Sequence, residues 1–206
     1  MPLRDHFRPP LSIHRHWHAF HHAWATCLCF DLNRQLPEGY FAEPNVQFGL
    51  KIDMATLTTD LVEVLIYDAE AGPILAGAIE LISPANKDRP ESRDAFAIKC
   101  ASYVQGGLGL AMVDIVTQRK ANLHVEFLAH LGQRALHMDS DLYAAAYRPI
   151  ERGEQAKLDI WQEPLGIGKT LPTMPLWLRG GHCLQINFEE TYECTCHGIR
   201  VPRNGN

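Results

Sequence analysis

The sequence has no uninterrupted apolar run near the roughly 18 residues that a membrane-spanning helix needs. Its opening segment, MPLRDHFRPP, also has no apolar stretch of the kind that forms the centre of a secretion signal. Both absences predict a protein of the cytoplasm that does not insert into a membrane.

An excess of positive charge is missing as well, because 19 lysines and arginines stand against 24 aspartates and glutamates, for a net charge of −5. This balance argues against broad, non-specific attraction to nucleic acid, although it is compatible with a local basic groove.

Internal repeats and low-complexity blocks are also missing from the 206 residues, of which 46% are apolar. We therefore predict one domain over residues 1–206, with its core at about 13–130 and a C-terminal extension at 131–206 packed on that core.

The six cysteines do not form a recognisable zinc or disulfide pattern. Cys27-Leu28-Cys29 and Cys194-Thr195-Cys196-His197 both lack the two-residue spacer of a zinc knuckle. A chain of this length can bury a core without disulfides. We therefore expect reduced thiols.

The hydrophobic pattern predicts alternating helices and strands. In chain order they are a helix at 13–36, a strand at 40–50, a hairpin of strands at 61–67 and 74–82, a helix at 90–105, a strand at 108–117 and a returning strand at 123–128. Beyond Gly132 the pattern is weaker, with short strands at 143–147 and 159–162 and a closing helix at 189–199. This order indicates an α/β (α+β) fold in which helices cover both faces of a mixed central sheet.

Glu80 is the most informative single residue, because it interrupts an otherwise apolar strand, ILAGAIELI. A buried carboxylate must pair with a cation, bind a metal or stay protonated, since an isolated buried charge costs several kcal/mol. Lys99 falls on the apolar face of the following helix, between Phe96 and Tyr103. The two residues explain each other as partners, although the Lys99 stem could instead pack while its ammonium group reaches water.

Asp53 could bring a second carboxylate to the same edge of the sheet, although by its local sequence it reads more simply as a solvated loop residue. Two carboxylates and a lysine form a recognisable hydrolytic arrangement. The acids can hold Mg²⁺ or Mn²⁺ through hard oxygen ligands, while the lysine orients water and offsets developing charge.

Residues 79–116, IELISPANKDRPESRDAFAIKCASYVQGGLGLAMVDIV, resemble the core of the PD-(D/E)XK superfamily, the restriction-endonuclease-like fold. More closely, they resemble a bacterial family of endonuclease-like domains of unknown function. The resemblance implies a restriction-endonuclease-like mixed sheet in which Asp53 and Glu80 hold the metal and the Leu81 carbonyl is available as a third ligand. Ile82 stands where the usual lysine would be, so the resemblance implies that Lys99 supplies the amine.

Under the same resemblance, Lys87, in Asn86-Lys87, is the rival candidate for this amine. With either lysine, the expected function is a divalent-metal-dependent, nuclease-like phosphodiester hydrolase acting on DNA. The acidic net charge fits a weak, partner-delivered or homodimeric enzyme better than a processive one. One alternative is a catalytically silent binding or assembly module of the same fold, in which Glu80 and Lys99 form a buried ion pair. Another is a small-molecule hydrolase that uses the same metal site.

Overall fold

Helices and strands alternate along the chain in the computed structural model, which describes residues 1–47, 61–70, 72–133, 138–152 and 155–202. The described elements, in chain order, are α1 (Leu11–His14), α2 (Trp17–Gln35), β1 (Tyr40–Gln47), β2 (Leu61–Asp68), β3 (Ile74–Leu81), α3 (Pro90–Gln105), β4 (Gly109–Asp114), α4 (Leu123–His130), β5 (Tyr143–Arg152), β6 (Gln155–Pro164), β7 (Thr173–Trp177), β8 (Cys183–Asn187) and α5 (Phe188–Gly198).

A six-stranded mixed sheet, in the order β1-β2-β3-β4-β5-β6, forms the centre of the fold. Only the β3–β4 pair is parallel among these neighbours, and α3 makes the connection between the two strands. Strands β7 and β8 form a separate antiparallel pair. The predicted mixed α+β fold is thereby confirmed.

Side chains of alternate residues divide the interior into two hydrophobic clusters, one on each face of the main sheet. One cluster contains apolar residues of α2, α5, β7 and β8, and the other contains those of α3 and α4. On β3, Ile79 and Leu81 belong to the first cluster, whereas Ala78 belongs to the second. Glu80 therefore lies on the face covered by α3.

Helix α3 matches its predicted bounds because its ends are marked by strong local signals. Pro90 occupies the first turn, where the missing N–H costs nothing, and the N–H of Gly106 bonds back to the carbonyl of Ser102. The buried residues Phe96 and Cys100 fix the helix face that meets the sheet. Lys99 and Tyr103 flank this buried line, and so both reach toward the strands.

Residues 123–128, predicted as a strand, form the helix α4 instead. The Asn122 side chain accepts a hydrogen bond from the Val125 N–H at 3.2 Å and so caps the helix. Leu123, Phe127 and Leu128 then bury one side of the helix against α3. The strand interpretation was wrong because six mostly apolar residues do not distinguish a strand from a short buried helix.

Two further boundaries differ from the sequence prediction. The helix expected at 13–36 is divided at Arg15 and His16 into α1 and α2. Residues assigned to a C-terminal extension supply β5 and β6, which continue the main sheet beyond β4.

Among the described residues, no helix combines the length and the apolarity required to cross a bilayer.

Replacing Asn122 by alanine is expected to lower the free energy of unfolding by about 1 kcal/mol, because the first turn of α4 loses its cap. Urea unfolding followed by circular dichroism measures this change. Asn122→Asp is the matched control, since it keeps the accepting oxygen but loses the hydrogen bonds that the Asn122 amide donates to the carbonyls of Met138 and Ser140. An equal loss in both variants would contradict the capping explanation.

Candidate functional site

Two glutamates lie opposite each other on the adjacent antiparallel strands β2 and β3. Glu63 and Glu80 are direct partners in the strand register, and their side chains are only 2% and 1% exposed. Like charges at such a position repel each other, and the low dielectric of the interior strengthens the repulsion. The pair therefore requires protons or cations.

Lys99 supplies a cation from α3. Its Nζ atom lies 2.6 Å from Oε1 of Glu80 and 3.2 Å from Oε2 of Glu63. The contact with Glu63 has the geometry of a hydrogen bond, whereas the shorter contact with Oε1 of Glu80 is an ion pair outside that geometry. The predicted pairing of Glu80 with Lys99 is confirmed, and Lys99 is shared with a second acid. Its side chain is 24% exposed, so Lys99 is more exposed than either glutamate.

Glu63 is held by two further donors. The Tyr103 hydroxyl, one helical turn after Lys99, donates to Oε2 of Glu63 at 3.1 Å. The Asn45 amide on β1 donates to Oε1 of Glu63 at 2.7 Å. Hydrogen bonds to both oxygens favour the ionised form of Glu63 and fix the plane of its carboxylate.

The different surroundings of the two acids separate their affinities for a proton. Burial raises the pKa of Glu80 to about 8, because it outweighs the opposing attraction of Lys99, and Glu63 raises it further. Burial also acts to raise the pKa of Glu63, but hydrogen bonds from Glu80, Asn45 and Lys99 bring it below its usual value. At neutral pH the pair therefore shares one proton, held mainly on Glu80.

With the proton on Glu80, the negative charge of Glu63 is balanced by the positive charge of Lys99. Burial works to lower the pKa of the Lys99 ammonium group, yet Glu80 and Glu63 raise it above its ordinary value. Burial also raises the pKa of the Tyr103 hydroxyl. Lys99 is thus a permanent cation and Tyr103 a permanent hydrogen-bond donor at neutral pH.

Lys87, the other lysine considered for the amine, pairs with a different acid. Its Nζ atom lies 2.7 Å from Oδ2 of Asp114, and both side chains are 0% exposed. The other oxygen of Asp114 accepts the backbone N–H of Val116. Burial raises the pKa of Asp114 to about 6, against the opposing effect of Lys87. This pair closes the end of β4 and does not bring the Lys87 amine to Glu80.

The Leu81 carbonyl, implied as a metal ligand, is engaged by a histidine of α2. Nε2 of His21 lies 2.9 Å from this oxygen. Burial lowers the pKa of His21 to about 3, so the ring is neutral at neutral pH. Because a carbonyl oxygen only accepts hydrogen bonds, the ring hydrogen lies on Nε2 and one lone pair of the Leu81 carbonyl is occupied.

Asp53, the predicted first acidic ligand, lies outside the described residues. Glu63 is the residue of this candidate site that sequence reasoning missed. A usable signal was present, because Glu63 interrupts the apolar strand LVEVLIY in the same way that Glu80 interrupts its partner. Pairing the two predicted strands in the observed register places the two acids opposite each other.

Comparison of the chain with protein-family models, curated proteins and solved structures finds no match. The chemical properties of the site must therefore be judged from its own residues.

The donor set fits a hard divalent cation. Among the described residues, no group of three or more histidine, cysteine, aspartate or glutamate side chains could hold a metal. Mg²⁺, however, often uses only one or two carboxylates and completes its coordination with water and substrate phosphate. Glu63 and Glu80 offer two carboxylates on adjacent strands, and a cation bound by Oε1 of Glu80 would displace the Nζ atom of Lys99, which lies 2.6 Å from that oxygen. Soft metals are less well suited, because the neighbouring Cys100 thiol is buried and burial raises its pKa, which disfavours the thiolate that would bind them.

Proposed function

We propose that the chain is a cytoplasmic, divalent-metal-dependent phosphodiester hydrolase that acts on DNA, with Glu63, Glu80 and Lys99 at its active site. The observation that carries the proposal is the pair of buried carboxylates on adjacent strands, with one partly exposed lysine between them. Asp53 is the additional acidic ligand that the resemblance to the PD-(D/E)XK superfamily implies. The net charge of −5 fits an enzyme that a partner or a second copy delivers to DNA.

Glu63 and Glu80 would hold Mg²⁺ or Mn²⁺, which supplies Lewis-acid activation of water and neutralises phosphate charge when bound. Lys99 would offset the charge that develops on the phosphate oxygens, and its contacts with both glutamates support this role. Tyr103 and Asn45 hold Glu63 in one orientation through its two oxygens. They are positioning residues, since both act through Glu63.

Conversion of supercoiled plasmid DNA to nicked or linear forms, measured with and without Mn²⁺ and with a chelator added, tests the proposal. We expect conversion only when the metal is present. A protein that binds no metal and leaves DNA intact even in its presence would contradict it.

Mn²⁺ binding is expected to strengthen as the pH rises toward 8. At neutral pH the Glu80 carboxyl carries a proton that a metal ligand must lose, because its pKa is raised to about 8. One displaced proton gives roughly a tenfold fall in Kd for each pH unit below 8 and little further change above it. Isothermal titration of tag-free protein from pH 6 to 9, in buffers of different ionisation heat, measures both the Kd and the released proton.

Glu80→Gln provides the comparison for this titration, because it removes both the titrating group and one ligand. We expect its Mn²⁺ binding to be weak and independent of pH over this range. Glu163→Gln is the matched control, since Glu163 is an exposed glutamate on β6. A pH-independent Kd in the wild type would show that Glu80 does not exchange its proton for the metal.

A specific observation also supports the alternative of a silent binding or assembly module. Lys99 and Tyr103 cover the two carboxylates, so that neither is more than 2% exposed. A buried ion pair of this kind can have a purely structural role. That alternative predicts no Mn²⁺ binding by the wild type and a loss of about 3 kcal/mol or more of stability when Glu80 is replaced by alanine.

A further inference from the structure

The two cysteine-containing segments of the sequence meet at the contact between α2 and α5. Cys27 lies on α2 and Cys194 on α5, and their Sγ atoms are 3.1 Å apart. Both are free thiols. The same two helices are joined by a hydrogen bond from the Trp24 indole to the Thr191 hydroxyl, so their packing holds the thiols in place.

Cys27 and Cys194 differ from the other cysteines in combining proximity with access to solvent. Cys194 is exposed and Cys27 is partly buried, whereas Cys29, Cys100 and Cys196 are buried. A disulfide requires an S–S distance of about 2.05 Å, so a shift of roughly 1 Å would bring the sulfurs to bonding distance.

We propose that Cys27 and Cys194 form a site of oxidative modification, at which hydrogen peroxide converts the two thiols into a reversible disulfide between α2 and α5. Helices α2 and α5 cover the opposite face of the sheet from the carboxylate pair, so this proposal does not depend on the proposed nuclease activity.

The chemistry has two steps. The Cys194 thiolate attacks one peroxide oxygen, so the O–O bond breaks, the sulfur is oxidised to a sulfenic acid and hydroxide leaves. Cys27 sulfur then attacks the Cys194 sulfur, so the S–S bond forms and the S–O bond breaks. The departing hydroxide takes the Cys27 proton as water, and two thiols and one peroxide give one disulfide and two waters in total.

The surroundings assign different roles to the two thiols. Burial raises the pKa of Cys27 to about 11, so this thiol stays protonated and meets oxidants slowly. Cys194 is exposed and is the first to react, while Cys27 is held beside it as the resolving thiol. The disulfide would close a long loop, because 167 positions separate the two residues. Constraining such a loop is expected to raise the Tm by several degrees.

Peptide mapping of the peroxide-treated, full-length, tag-free protein tests this proposal. After remaining thiols are alkylated, non-reducing trypsin digestion should give one species that joins residues 16–34 to residues 180–200 and that dithiothreitol separates. Each of these peptides contains more than one cysteine, so variants must assign the bond. We expect Cys27→Ser and Cys194→Ser each to abolish the cross-link and the rise in Tm.

Cys183→Ser is the matched control, because Cys183 is exposed and lies in the same tryptic peptide as Cys194. Its cross-link should equal that of the wild type. Because Cys194 is exposed, its variant tests the proposal even if replacing Cys27 disturbs the helix contact. A cross-link that survives in Cys194→Ser, or wild-type protein in which Cys194 goes on to sulfinic acid without any cross-link, would overturn the proposal.

Discussion

Glu80→Gln is expected to lower the rate of the proposed metal-dependent DNA cleavage by roughly 100-fold or more, equal to at least about 2.7 kcal/mol of barrier. The reason is the loss of one of two carboxylates that face each other across β2 and β3. Single-turnover cleavage of a labelled DNA duplex in saturating Mn²⁺ measures the change without interference from product release.

The same variant is expected to fold with a stability within about 1 kcal/mol of the wild type at neutral pH. Glu80 already carries a proton there, because its pKa is raised to about 8, and glutamine resembles the neutral acid in size and polarity. Glu163→Gln, on the exposed part of β6, should retain full activity. Undiminished cleavage by Glu80→Gln would remove Glu80 from the active site.

Lys87→Met is expected to lower the free energy of unfolding by about 3–5 kcal/mol at pH 8. It removes the partner of a fully buried aspartate, since Nζ of Lys87 lies 2.7 Å from Oδ2 of Asp114 and both side chains are 0% exposed. Asp114 must then stay charged without compensation or bind a proton. Equilibrium urea unfolding, followed by tryptophan fluorescence, measures the loss.

The pH dependence of this loss has a definite sign. The pKa of Asp114 is raised to about 6 in the folded protein, above its ordinary value of 3.8, so its contribution to stability is greatest below pH 3.8 and falls as the pH rises through 6. Without Lys87 the pKa rises further, and the cost of Lys87→Met should therefore be smaller at pH 5 than at pH 8.

The double variant Lys87→Met/Asp114→Leu is the control for this interpretation, because it removes both charges and fills a similar volume. It should recover much of the lost stability. If the double variant is as unstable as Lys87→Met alone, the loss comes from packing of the lysine stem rather than from the unpaired carboxylate.

Sequence patterns predicted the elements whose ends carry local signals. Pro90 and Gly106 enclose α3, and the turn after Tyr67 separates the two strands of the hairpin. The pairing of Glu80 with Lys99 was also predictable, since each is an anomaly on an apolar face. These inferences use only the residue periods of helices and strands and the cost of burying a charge.

The features that sequence reasoning missed depend on contacts between distant segments. Glu63 joins the site only through the strand register, and a shift of one residue would turn its side chain to the other face. The full length of β5 and β6 likewise depends on pairing along ten positions, which weakly patterned strands do not reveal locally. The Lys87–Asp114 pair requires knowledge of where the loop after β3 meets the end of β4.

The hairpin that carries Glu63 and Glu80 also has a consequence for how the chain folds. Contacts between neighbouring strands close short loops, whereas Lys99 lies 36 positions beyond Glu63 on a separate helix. If the two strands pair before α3 packs on them, Glu63 and Glu80 face each other without Lys99, and the repulsion between their charges then opposes closure of the hairpin. Folding that follows this order is expected to be faster at a pH that protonates one of the two glutamates, and the docking of α3 would then replace that proton-dependent relief with the charge of Lys99.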